Sequence, residues 1–174
     1  MVRSALEPLR SLRQKAPPAF APYVPAASVV LASLLAALPL ISDTGWYPDF
    51  GFLMFLGWRL LRADPWPGWW AAPLGLVNDL FTGYPLGYSV ALWSATMIVL
   101  DLIDRRTMWR DYWIEWMLAA VLISADELLQ WRLAKTIDAA PPLVAIVPAM
   151  AISVLVFPLA AWLVGRLDAW RIRR

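Results

Sequence analysis

Gly75-Leu76-Val77-Asn78-Asp79-Leu80-Phe81-Thr82-Gly83-Tyr84-Pro85-Leu86-Gly87 carries an apolar helix into a carboxylate and then breaks it in a Gly/Pro turn. Hydrophobic segments lie on both sides, so the turn reads as the bend of a tight helical hairpin. An acid inside an apolar span costs roughly 2.5–3.5 kcal/mol even on the lenient insertion scale, so Asp79 has to face protein or water rather than lipid. Gly68, Ala72, Gly75 and Asp79 follow one another at offsets of four, three and four, which puts three small residues and the acid on one helix stripe. Small stripes let a neighbouring backbone come close. That points Asp79 into a helix interface, with Pro73 kinking the helix one turn below. The plainer alternative is an Asp79 that only caps the 82–87 turn or reaches headgroup water.

Composition sets the class around this stretch. Of 174 residues, 61% are hydrophobic and 16% charged, with mean hydropathy +0.59, and several apolar runs approach the roughly 17–25 residues that cross a bilayer. The fold class expected is an all-α integral membrane protein with about six transmembrane helices in one bundle. There is no cysteine and no histidine. Disulfides and thiolate metal sites are thereby excluded, together with the commonest metal ligand and general base. No nucleophile-elbow serine and no phosphate-cradling glycine loop occurs, so the residues point to no catalytic site, no cofactor and no metal. A net charge of +2 could suggest nucleic acid, but the basic residues sit outside the apolar runs and read as topology signals instead.

Taken in order, residues 1–22 form a basic, Pro-rich segment, either a short amphipathic helix on the cytoplasmic leaflet or a plain basic flank. Six spans follow at about 23–41, 47–61, 66–81, 86–103, 112–131 and 143–165, with a basic tail at 166–174. Five is the alternative count, should the short second segment be re-entrant. With both termini cytoplasmic, thirteen of the fifteen Lys and Arg residues lie inside and only Arg132 and Lys135 outside, as the positive-inside rule expects of an even number of spans. Ten of the twelve tryptophans fall near the expected boundaries, while Trp58 and Trp93 lie deeper and read as packing residues.

This topology gathers Asp43, Asp49, Asp79, Asp126 and Glu127 toward the outer side. Asp126 lies on a stripe with Glu115, Ala119 and Leu122, and Glu127 on the adjacent one. Such a cluster could line a small-molecule pocket, tie the bundle together by hydrogen bonds, or receive another protein's membrane segment, and spacing alone does not choose. Burial disfavours the charged form and could leave such a carboxylate neutral, whereas Arg132, about one turn beyond, could keep one of these acids charged.

Gly75, Asp79, Leu80, Gly83, Leu86 and Gly87, together with Trp46-Tyr47-Pro48-Asp49 and Trp58, resemble the core of the bacterial rod shape-determining MreD family. The match covers about a third of the chain. Elsewhere it rests on hydropathy, on span number and on an acid in the fifth helix, where Asp126 stands. The resemblance implies a six-helix fold similar to the S-components of energy-coupling factor transporters. It further implies a non-enzymatic inner-membrane subunit of the cell-wall elongation complex that binds the bitopic protein MreC and associates through the complex with MreB, the RodA glycosyltransferase and a penicillin-binding transpeptidase. Gly68, Ala72, Gly75, Asn78, Asp79, Gly83, Pro85, Gly87, Asp126 and Glu127 are the residues expected to bind a partner or organise the bundle. A solute-binding subunit of an energy-coupling factor type transporter is the alternative, kept open by the small-residue run 26–37.

Overall fold

The computed structural model describes residues 20–36, 48–61, 67–104, 111–136, 142, 144 and 146–173. The basic segment 1–19, Asp43, Trp46, Arg62, Trp66, the arginines and Trp109 of the 105–110 connector, and Arg174 lie outside the described residues. Among those described there are six α-helices and no strand: α1 (Val24–Ala36), α2 (Phe50–Leu61), α3 (Ala71–Thr82), α4 (Tyr88–Asp104), α5 (Tyr112–Thr136) and α6 (Ile146–Arg173). The six apolar segments of the sequence thus reappear, in order, as six helices.

The shortest segment occupies the centre. Phe50-Gly-Phe-Leu-Met-Phe-Leu-Gly-Trp-Arg-Leu-Leu61 is apolar around nearly its whole circumference, and a helix with no polar face has to be enclosed on all sides. Every residue from Gly51 to Leu60 is buried. α1 and α6 pack against α2, α3 packs against α1 and α4, and α5 packs against α6. At Gly57 an added Cβ would stand 3.1 Å from Val164 Cγ2 and 3.8 Å from the Ala160 carbonyl, so the absent side chain sets how closely α6 crosses. On another side, Trp93 of α4 is fully buried and stacks on Phe55 and Phe52 at centroid distances of 4.7 and 6.1 Å. Trp58 donates from Nε1 to Ser28 Oγ (2.7 Å), and the Arg171 guanidinium lies over its ring. Both deep tryptophans are therefore packed within the bundle.

The outward faces are apolar too. Ile98 on α4, Met117 and Val121 on α5, and Leu155 and Leu159 on α6 are all more than 60% exposed. Among the described residues one helix, Ile146–Ile172, is long and apolar enough to cross a membrane by length and composition, and only 22% of its most apolar stretch is buried. The twelve residues of α2 rise only about 18 Å, against the roughly 30 Å of a hydrocarbon core.

Two prolines are accommodated in different ways. A 3-10 turn, Gly68–Trp70, runs directly into α3, so Pro73 falls in the first turn of the α-helix, where a missing N–H costs little. The helix type thus changes just before the proline. Pro158 lies inside α6 and cannot donate to the Val154 carbonyl four residues back. Trp116 of α5 supplies the donor instead, with its Nε1 3.4 Å from that carbonyl.

Candidate functional site

The hairpin between α3 and α4 is built from the side chain of Asp79. Its backbone carbonyl accepts the N–H of Gly83 (3.1 Å), whose left-handed φ of 74° ends α3 as glycine readily can. Its carboxylate reaches across the turn: Oδ2 accepts from Gly87 N and Oδ1 from Ser89 N, both at 2.8 Å. These amides lie at the start of α4, where backbone donors lack helical partners and the helix dipole favours a negative charge. Asp79 is 1% exposed, so it occupies a helix interface and caps the turn at once. Gly75, one turn earlier, permits the contact, since a Cβ there would come within 2.7 Å of the Ser89 carbonyl group and Val90 N.

A second carboxylate joins from α2. Asp49 caps that helix, with Oδ1 accepting the Phe52 N–H at 2.9 Å, three residues on. Its Oδ2 accepts from Asn78 Nδ2 at 2.8 Å, and the same amide nitrogen reaches Ser89 Oγ at 3.2 Å. Asn78 is fully buried and links the start of α2, the end of α3 and the start of α4.

The third carboxylate lies on α5. Tyr88 donates its hydroxyl to Asp126 Oδ1 (2.8 Å), and Gln130 Nε2 donates to Oδ2 (3.0 Å). Tyr84 completes the chain by donating to Gln130 Oε1 at 2.9 Å. Glu127 turns the other way and accepts from Ser153 of α6 at 3.2 Å. Arg132 lies over the Trp131 ring, and among the described residues no basic side chain pairs with Asp49, Asp79, Asp126 or Glu127.

Of the expected residues, Gly75, Asn78, Asp79, Gly83, Gly87 and Asp126 meet in or beside this network, and Glu127 reaches α6. Ala72 is half-buried on α3, whereas Gly68 lies in the exposed 3-10 turn with only Met97 Cε near its open face, at 3.9 Å. Pro85 is exposed and contributes its carbonyl to Tyr88 N (3.0 Å). Sequence reasoning missed Ser89 and Tyr88 here, and also Ser33 and Gly51, which stand beside Asn78 and Asp49, all in segments whose apolar character hides single polar positions. It missed the opposite end of the bundle as well. There Arg59, read as a topology charge, is buried at 2% exposure and pairs with Asp101 and with Asp104 (2.8 Å). Asp101 and Asp104 stand three apart on α4 and so share a face, which is the signal that could have found them.

No family model matches the chain, and no curated protein or solved structure is significantly similar to it.

Proposed function

We propose that the chain is a non-enzymatic, multi-pass subunit of the bacterial inner membrane that acts as a scaffold in cell-wall elongation and binds an MreC-type bitopic partner. The observation that carries this reading is how the hairpin block is used. The glycines and Asp79 on which the MreD resemblance rests engage one another and the start of α4, which leaves apolar helix faces such as Met117–Val121 and Leu155–Leu159 uncovered. In lipid, helices associate by close packing and a few hydrogen bonds, so a stiff bundle with long apolar faces suits the reception of a single membrane helix. Both termini are assigned to the cytoplasm on the distribution of Lys and Arg.

The test is co-purification in mild detergent of the tagged protein with the MreC-type protein of the same organism, measured against an unrelated bitopic membrane protein. Selective, near-stoichiometric recovery is expected. A well-folded protein that recovers both equally would contradict the scaffold reading and turn the search toward a bound solute.

A further inference from the structure

The network leaves two buried oxygens without a hydrogen-bond partner, and both lie over Gly51. Ser33 of α1 is 1% exposed and Asn78 is fully buried, yet among the described residues Ser33 Oγ and Asn78 Oδ1 have no hydrogen-bond partner. Asn78 has no freedom to turn its amide round, because Nδ2 must face the acceptor Asp49 Oδ2 and thereby aims Oδ1 away from it. A Cβ added to Gly51 would stand 2.5 Å from Asn78 Oδ1, 3.2 Å from Asp49 Oδ1 and closer still to Ser33 Oγ, so the three oxygens converge on one side of this glycine. A hydroxyl, an amide carbonyl and a carboxylate are hard oxygen donors of the kind that bind alkali and alkaline-earth cations.

Charge decides between a neutral and a charged occupant. Asp79 is opposed by two amides and a helix dipole, and Asp126 by a phenol and an amide. Asp49 shares this end of the bundle, within electrostatic reach of both. The ion pairs of Arg59 and Arg171 are formed with Asp101, Asp104 and Asp168 instead. Asp49 is itself met by the Phe52 N–H and the Asn78 amide, which favour its charged form. Yet three buried carboxylates at one end, with no cationic side chain among the described residues to pair with them, favour taking up either a proton or a cation. A cation would also engage Ser33 Oγ and Asn78 Oδ1. One carboxylate and two neutral oxygens match a single positive charge, whereas a calcium site draws on several carboxylates. We propose that Ser33 Oγ, Asp49 Oδ1 and Asn78 Oδ1 form a buried site for a monovalent metal cation that ties α1, α2 and α3 together. The site does not depend on the scaffold reading.

The test is thermal unfolding of the purified full chain in detergent, in NaCl, KCl and choline chloride at equal ionic strength, for the wild type, Ser33→Ala and, as a control at a half-buried position on α4 outside the proposed site, Ser94→Ala. The expected result is a saturable rise of the midpoint with Na+ or K+ over choline. Half-saturation should shift by about tenfold or more in Ser33→Ala, as for loss of one interaction with a charged group, and stay unchanged in Ser94→Ala. Sodium NMR line broadening on adding the protein, reduced in Ser33→Ala, reads binding of that ion directly. Equal midpoints in all three salts would overturn the proposal, and so would a Ser33→Ala protein as stable as the wild type in every salt. In that case the space holds at most a water and the hydroxyl is merely unsatisfied.

Discussion

Asp79 is tolerated at 1% exposure because its charge meets two backbone amides at a helix start, not because it escapes to water. Gly75 serves the same contact by absence, and Gly75→Ala has to push a backbone rather than a flexible side chain. It should cost about 1–3 kcal/mol, the range for overpacking, read from the unfolding midpoint in detergent. Tyr88→Phe should cost about 1–2 kcal/mol, because it removes a donor from the buried Asp126 carboxylate while keeping the ring. Its signature is rescue: Asp126→Asn on top of Tyr88→Phe should cost less than the single changes sum to. At this scale Gly75 and Asp79 were legible, since their offset of four placed them on one stripe beside a turn. Ser33 and Tyr88 were not, because a lone hydroxyl in an apolar helix carries no periodic signal.

Among the elements, α2 orders the rest, and its position follows from its having no polar face. Six helices could be read from the apolar runs, and the α3–α4 hairpin from its Gly/Pro turn. Which helix is central could not, because burial around a whole circumference is decided by neighbours far away in sequence. The Pro158–Trp116 pairing illustrates the same limit. The proline announced a broken hydrogen bond, but its replacement donor lies 42 residues earlier. Trp116→Phe should therefore destabilise by about 0.5–1.5 kcal/mol in the wild-type background, and by less in Pro158→Ala, where a backbone N–H is again available to Val154. A double-mutant cycle on unfolding checks this. At the other end of α2, Arg59→Met should cost less than the roughly 3–5 kcal/mol of breaking a fully buried pair. Asp101 is 50% exposed and can return to water, and the change also removes the unpartnered Arg59 Nε and Nη1.

For the whole molecule, the two ends of the bundle differ in chemistry. Asp49, Asp79 and Asp126 gather at one end, and Arg59, Asp168 and Arg171 at the other. The absence of cysteine makes the orientation directly accessible, because each introduced thiol is the only one in the chain. A membrane-impermeant maleimide should label Thr136→Cys in intact cells and Ile172→Cys only after permeabilisation. Labelling in the reverse order would invert the proposed topology. In the proposed function the hairpin carboxylate serves the bundle while an MreC-type partner is received on another face. The most direct measurement is the unfolding midpoint of Asp79→Asn together with its recovery of the MreC-type partner. An amide can accept one of the two N–H groups but presents its own donor to the other, so a loss of about 1–3 kcal/mol is expected, with partner recovery retained by the folded fraction. An unchanged midpoint with partner recovery lost would instead place Asp79 at the partner interface and overturn its assignment to the bundle.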